Sequence, residues 1–489
     1  MMENLIQFDD ETIQKLFGHE AAEDEDFIRL KEYYVKSKVY NRIVVDLPLR
    51  ILVGHKGIGK SALFKIAINE EKEEGHLPIL IRPDDILVLK TDTSDFLQTI
   101  RDWKQGLNVI IGKKVLDSLG ITQKIDSVKV KKYSGKILNF VIDSIKPDKI
   151  PVDLDPARNL LIENLRKNKI ITVYIDDLDR GWQGKKDDIR RISALLNAIR
   201  DISNENIGIR FRISLRSDVY YLVRTSDEST DKIEGSVVWY SWVNHEILVL
   251  LIKRIETFFG RKIDEEVLLS QQQAKLSNYL HSVMEPRFNG SGHWSNAPMY
   301  RVLMSLIRKR PRDLVKLCTL AARHAHERRS KIIMTIDFES VFEEYSQGRI
   351  QDTINEYKSE LPDIERLIMG MKPSKKERTT STGYIYTTDG LYKKIKSIME
   401  QGQFKFANGE LATPKQLAQF MYKINFLTAR KGTPGVEIHR KYFEENRYLS
   451  GEFADFGYDW EVHPAYRWAL QPGTVHSIFK ELELSSDTD

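Results

Sequence analysis

The stretch Leu49-Arg50-Ile51-Leu52-Val53-Gly54-His55-Lys56-Gly57-Ile58-Gly59-Lys60-Ser61-Ala62 decides the fold. Leu49–Val53 is apolar apart from Arg50 and reads as a short buried strand. Gly54–Ser61 then matches the spacing G-x-x-x-x-G-K-[ST]. The pattern by itself is moderately specific. A strand before it and a helix after it are the context its mechanism needs. Glycines let the backbone wrap closely around a phosphate with its N–H groups pointing inward, and a helix starting near Lys60 adds its dipole. Gly54, His55, Lys56, Gly57, Ile58, Gly59, Lys60, Ser61 and Ala62 are therefore the candidate nucleotide cradle. In that cradle Lys60 reaches the β- and γ-phosphates of ATP, and the Ser61 hydroxyl holds Mg²⁺. A helix is expected from Ser61 to about Glu74, and a second strand over 79–81.

A phosphate loop of this kind needs a carboxylate for the metal and a group that positions water. Both are offered where the apolar run Ile170–Ile175 ends in Asp176-Asp177-Leu178-Asp179-Arg180. A continuous apolar run is what a central parallel strand looks like, and its carboxyl end is where open α/β sheets bind ligands. Asp176 is expected to hold Mg²⁺ through water, and Asp177 to orient the attacking water. Asp177 is shorter than a glutamate, which points to slow hydrolysis. An amphipathic helix follows, with Ile189, Ile192, Leu195, Leu196, Ile199 and Ile202 at helical spacing. Over 207–215, Ile209, Phe211, Ile213 and Leu215 alternate with Arg210, Arg212 and Ser214, which indicates another strand. Strands alternating with helices imply an α/β fold on a parallel sheet. Three arginines are candidates to neutralise charge on the γ-phosphate: Arg180 after the acidic run, Arg216 after the 207–215 strand, and Arg312 at a helix start beside Pro311.

The chain has 489 residues with a formal net charge of +4. Near balance of charge argues against a dedicated nucleic-acid coat. One cysteine, Cys318, excludes an internal disulfide and fits a reducing compartment. No apolar run approaches the ~20 residues of a membrane span, and the start lacks a signal-peptide pattern, so a cytoplasmic protein is expected. Residues 1–42 read as a helical segment, 43–243 as the α/β core with an insertion at about 90–155, 244–370 as a helical lid, 371–383 as a linker, and 384–489 as a last, aromatic-rich domain. Between Lys113 and Lys149 there are nine Lys, four Asp and no Glu, read as a solvated basic face.

Taken in order, Gly54–Ser61, Asp-Asp-Leu-Asp-Arg at 176–180, Leu-Arg-Ser-Asp-Val at 215–219 and Arg-Pro-Arg-Asp-Leu at 310–314 resemble a family of bacterial P-loop ATPases related to the KAP and STAND-type NTPases, within the wider AAA+-like group. Phe17-Gly18-His19-Glu20-Ala21-Ala22-Glu23 resembles the segment that precedes the loop in such proteins. The resemblance implies an ATP-driven switch that homo-oligomerises and serves a partner or effector; many relatives act in bacterial anti-phage systems. KAP proteins commonly carry membrane helices, which this sequence lacks.

The 411–470 region resembles a winged helix, with a helix at Thr413–Tyr422 and strand-like pieces near Val436–Ile438 and Trp460–His463. Glu444, Glu445, Glu452, Asp455 and Asp459 disfavour a phosphate-facing surface, so packing or partner docking is expected there. His439 and His463 lack partners at ligand spacing, and His324 and His326 read as surface residues, so no metal site beyond Mg²⁺ is expected. The alternative to the switch is an ATPase that loads on or remodels DNA. It rests on Arg301–Lys331, where ten Lys and Arg face only Asp313 and Glu327.

Overall fold

The computed structural model describes residues 6–20, 24–86, 95–118, 170–206, 209–226, 228–375, 377, 383–432, 438–447, 449, 457–472, 478 and 484. The chain divides into two compact units. One comprises Lys38–His55 and Lys60–Tyr240; the other comprises Met1–Ser37, Lys56–Gly59 and Ser241–Asp489. Most of the lysine-rich stretch, Lys124–Lys149, lies outside the described residues, while Lys113 and Lys114 belong to the helix Phe96–Ser118.

The first unit is built on five strands: β1 (Leu49–Val53), β2 (Leu77–Ile81), β3 (Ile171–Ile175), β4 (Ile209–Leu215) and β5 (Val237–Trp239). All pair in parallel, in the order β2-β3-β4-β1-β5. Parallel pairing requires a crossover for each strand, and the crossover helices cover the sheet faces, so the strands are apolar nearly throughout. Every residue of β3 is buried. The helices Lys60–Glu73, Phe96–Ser118 and Lys186–Glu205 connect the strands, and Ile192, Leu195, Leu196, Ile199 and Ile202 of the last enter the core as their spacing requires. The chain thus has the expected α/β class. Two details differ from the sequence reading. β5 has three residues, too few to show a period. Arg212 alternates with apolar residues along β4, yet it is 0% exposed. Its Nη1 donates to the carbonyls of Leu47 (2.9 Å) and Phe211 (2.9 Å) and its Nη2 to that of Val45 (2.8 Å), so both terminal nitrogens are engaged inside the unit, while Nε has no partner among the described residues. Burial lowers its pKa to about 10.

The second unit contains the helices Asp10–Phe17 and Phe27–Tyr33, then Asn244–Phe258, Pro311–Glu327 and Thr335–Tyr357. Its carboxyl-terminal part is winged-helix-like: Ile385–Tyr386, the helices Thr388–Met399 and Pro414–Lys423, and the strands Leu427–Lys431, His439–Lys441 and Asp459–Val462. The four strands form an antiparallel sheet in which Leu427–Lys431 and Asp459–Val462 are central. The strand at Leu427–Lys431 has no counterpart in the sequence reading. The piece expected near Val436–Ile438 is found at His439–Lys441, and 433–437 lies outside the described residues. The helix Pro414–Lys423 starts where its sequence says: Thr413 accepts from the Gln416 N–H (3.2 Å), Gln416 accepts from the Thr413 N–H (2.8 Å), and Pro414 takes the first turn. His463 is buried, with Nε2 2.9 Å from the Tyr442 hydroxyl and Nδ1 accepting from the Ala465 N–H at 3.1 Å. Burial and nearby arginines hold its pKa well below the usual value, so it is a neutral core residue.

Candidate nucleotide site

The loop begins where β1 ends. The Gly54 N–H donates to the Leu215 carbonyl at 3.1 Å, so the last residue of β4 fixes the start of the loop. Ser214, one residue earlier on β4, donates its hydroxyl to Asp176 at the end of β3. One strand, lying between the loop strand and the acidic strand, therefore ties both halves of the site together. This follows from the sheet order, which places β4 between β1 and β3.

Gly57 and Gly59 have φ of 78° and 108°. These are left-handed conformations that suit glycine, and they curl the backbone as a phosphate cradle needs. The helix from Lys60 carries Ser61 and Ala62 in its first turn. The Lys60 ammonium donates to the carbonyls of Gly54 (2.8 Å) and His55 (3.1 Å), which keeps it over the loop. The His55 ring is buried, with Nδ1 2.9 Å from the Ser217 hydroxyl.

The acidic end turns sharply. Asp177 has φ of 61°, and its N–H donates to the Asp176 carboxylate at 3.0 Å. A non-glycine residue in this region costs free energy and marks a backbone that its surroundings hold in place. Asp177 is exposed, whereas Asp179 is turned inward with its side chain 11% exposed. Asp179 lies 3.5 Å from Arg216. Burial pushes its carboxyl above the usual range, against the pull of Arg216 and Lys60. Arg216 is also held as a fork by Asp218, with Nε 3.0 Å and Nη2 2.5 Å from the two carboxylate oxygens. Lys60, Asp179, Arg216 and Asp218 thus form one charged cluster. Asp179, Ser214, Ser217 and Asp218 received no role from the sequence, although three of the four lie within the motifs quoted. Their spacing along the chain does not say which way a side chain points. Arg180 is not in this cluster; it lines a separate cleft with Trp103 and Trp182.

In the second unit, the loop apex Lys56–Gly59 meets the turn that opens the helix Pro311–Glu327. A methyl group placed on Gly57 would fall 3.1 Å from both Cβ and Cδ of Arg312, so the Arg312 side chain lies directly over this glycine. The Arg312 N–H faces the Gly57 carbonyl at 3.4 Å, and its Nε donates to the Glu20 carbonyl at 3.2 Å. Arg310 donates to the Lys56 carbonyl (3.4 Å) and pairs with Glu356 (3.6 Å). Trp242 donates its indole N–H to the Ile58 carbonyl at 2.8 Å. Among the described residues no group of three or more His, Cys, Asp or Glu has the arrangement of a metal site. Among the described residues no helix is long and apolar enough to cross a membrane.

Comparison with known proteins adds three findings. Residues 246–354 match the family model described as FunZ-associated C-terminal helical domain, a span running from the helix Asn244–Phe258 into Thr335–Tyr357. The chain is 24% identical over 527 residues to the transposon gamma-delta 80.3 kDa protein of Escherichia coli (strain K12), covering 97% of this chain and 70% of that protein. Similar solved structures include the Walker-type ATPase of Pyrococcus abyssi (12% identity, TM-score 0.40, 89% of this chain and 95% of that one) and the ORC2 protein of Aeropyrum pernix in ADPNP and ADP complexes (12% identity, TM-score 0.39, 88% and 87%).

Proposed function

We propose that the chain binds Mg-ATP in the cradle Gly54–Ala62 and hydrolyses it, and that the nucleotide state drives a regulatory switch. The observation that carries this reading is the single charged cluster of Lys60, Asp179, Arg216 and Asp218, with Asp176 tied to Ser214 beside it. The residues fit the ligand. Positive-φ glycines, a helix amino terminus and one ammonium suit a triphosphate, and a hydroxyl with a carboxylate suits Mg²⁺, which prefers oxygen. In this reading Lys60 holds the β- and γ-phosphates, while Ser61 and Asp176 hold the metal. Bound there, Mg²⁺ would supply positive charge that offsets the charge of the phosphates. Asp177, exposed and turned out of line by its backbone, orients the attacking water. Asp179 is already engaged by Arg216, so its role is to aim that guanidinium. Arg216 and Arg312 are the candidates to sense the γ-phosphate.

The wider reading is a homo-oligomeric switch that serves a partner or effector, with no membrane step, in the cytoplasm. The sequence resemblance extends the proposal to bacterial anti-phage defence. Calorimetry of Lys60→Ala tests the core of it. The variant should lose tight ATP binding, because the loop loses its one fixed cation on the β- and γ-phosphates. Binding equal to the parent's sinks the assignment.

The DNA-acting alternative rested on the basic stretch Arg301–Lys331. Six of its cations are engaged within the second unit: Arg308 with Asp313, Lys309 with Glu445, Arg310 with Glu356, Lys316 with Glu20, Arg323 with Asp10 and Arg328 with Asp337. Arg308, Lys309 and Arg310 are buried as well as paired, and cations engaged in this way release fewer counterions, so this stretch is a weaker phosphate tracker than its charge count suggests. The switch is the reading we favour.

A further inference from the structure

The loop that follows β3 carries a second feature that the nucleotide site does not use. Arg180 and Trp182 of this loop, together with Trp103 and Arg191, line a cleft of about 110 Å³ with an aliphatic floor. Trp103 is 1% exposed. The indole N–H groups of Trp103 and Trp182 are both buried, and among the described residues neither has an acceptor. Buried donors without acceptors are costly and uncommon, so two of them lining one cleft call for a physical reason. Both arginines add to the surplus. Arg180 is exposed and among the described residues has no ion pair. The Arg191 guanidinium sits 5.5 Å from the centre of the Trp103 ring, and among the described residues it too has no carboxylate partner. The acid at the rim, Asp188, does not cancel this surplus. Its carboxylate accepts the N–H groups of Gln183 (3.1 Å) and Lys185 (3.2 Å).

The cleft therefore offers two guanidinium groups and the half-buried Trp182 ring, and among the described residues it has few free acceptors. A matching ligand supplies acceptor oxygens with negative charge and a planar ring. Planar guanidinium forks suit phosphate, and indole and guanidinium faces suit a stacked base. We propose that this cleft binds one nucleotide unit, a phosphorylated aromatic base distinct from the ATP at Gly54–Ala62. Its phosphate lies on Arg180 and Arg191 and its ring lies against Trp182, which is half-buried where Trp103 is enclosed. The same chemistry comes from a free mononucleotide or from one residue of a single strand. Because Asp177 and Asp179 belong to the same loop, a ligand here bears on the acidic end of the ATP site.

The test uses the full chain with one equivalent of a non-hydrolysable ATP analogue and Mg²⁺. Tryptophan fluorescence is followed while thymidine monophosphate and, separately, single-stranded oligothymidylate are added. A saturable quench is expected. A quench by both ligands assigns the free nucleotide as sufficient, and a quench by the oligonucleotide alone assigns a strand residue. Arg180→Ala and Arg191→Ala should each weaken binding roughly ten-fold or more, while the analogue's own affinity confirms that the variants are folded. Trp182→Phe should remove a large part of the quench. Lys60→Ala should leave it intact, which separates this cleft from the phosphate loop. The proposal is overturned by absence of a saturable quench with either ligand, by unchanged affinity in both arginine variants, by loss of the quench in Lys60→Ala, or by equal affinity for polyglutamate.

Discussion

Asp177 combines two features that a plain turn does not need together: a left-handed backbone at φ 61° and an exposed carboxylate near one, Asp179, whose side chain is turned inward. Asparagine adopts that backbone region readily, so Asp177→Asn removes the charge without forcing the chain to move. We expect ATP affinity within about two-fold of the parent and turnover reduced by ~10²-fold or more, measured by calorimetry and phosphate release. Undiminished turnover would transfer the water-positioning role to Asp179. Arg312 poses a different question, since its side chain lies over Gly57. A switch needs a group whose contacts differ between its nucleotide states. Arg312→Lys keeps the charge and loses the fork. It should lower turnover and weaken ATP-dependent assembly while leaving ADP affinity nearly unchanged. Calorimetry with ADP and with a non-hydrolysable ATP analogue, beside light scattering, reads all three; if none of them changes, Arg216 becomes the sensor to test.

At the scale of elements, the turn Arg308–Asp313 is built around a buried carboxylate. Asp313 is buried and accepts from Arg308 (2.7 and 2.9 Å) and Arg349 (2.6 Å), while Arg308 also donates to Tyr466 at 2.8 Å. Although burial opposes its charge, the two arginines hold the Asp313 carboxyl far below the usual range. Removing one member of such a group leaves a buried charge without compensation. Asp313→Asn should destabilise the second unit by about 3–5 kcal/mol, seen as a lower midpoint in denaturant. The winged-helix-like sheet has a comparable centre. Glu461 is buried between Arg440 (2.8 Å) and Arg467, which lower its pKa to about 2 against the desolvation that would raise it. A depressed carboxyl stabilises the fold above its unfolded value of 4.5 and loses that contribution as the pH falls towards about 2. Thermal melts between those limits should show this loss. Glu461→Gln should flatten it, at a lower starting stability; a melt profile as steep as the parent's would assign the acid sensitivity elsewhere.

For the whole molecule, the two functional readings differ in what should change the ATPase rate. With the basic cations of 301–331 largely paired internally, duplex DNA should leave turnover within about two-fold, at both low and physiological salt. A rate that rises several-fold at low salt and falls back as salt is added would favour the DNA-acting alternative. Under the switch reading, ATP should raise the apparent mass in light scattering and ADP should not.

The sequence by itself determined the parts governed by local chemistry. A glycine-rich spacing between a strand and a helix, and an apolar run ended by acids, leave few alternatives, because the positive-φ curl and the double-sided burial can be read from residue type. Thr413, Pro414 and Gln416 likewise specify a helix start within four residues. Tertiary structure decided the rest. Strand order places β4 between the loop and the acids, and only that order brings Ser214 to Asp176 and Arg216 to Asp179. Arg212 alternates with apolar residues along β4 but is buried, because carbonyls 165 and 167 positions earlier in the chain accept from its terminal nitrogens. Ten basic residues in a row of 31 look like a nucleic-acid surface until the acids that pair with them arrive from Asp10, Glu20, Glu356 and Glu445. Charge can be counted along a chain, but its sign at the surface depends on which partners the fold brings within reach.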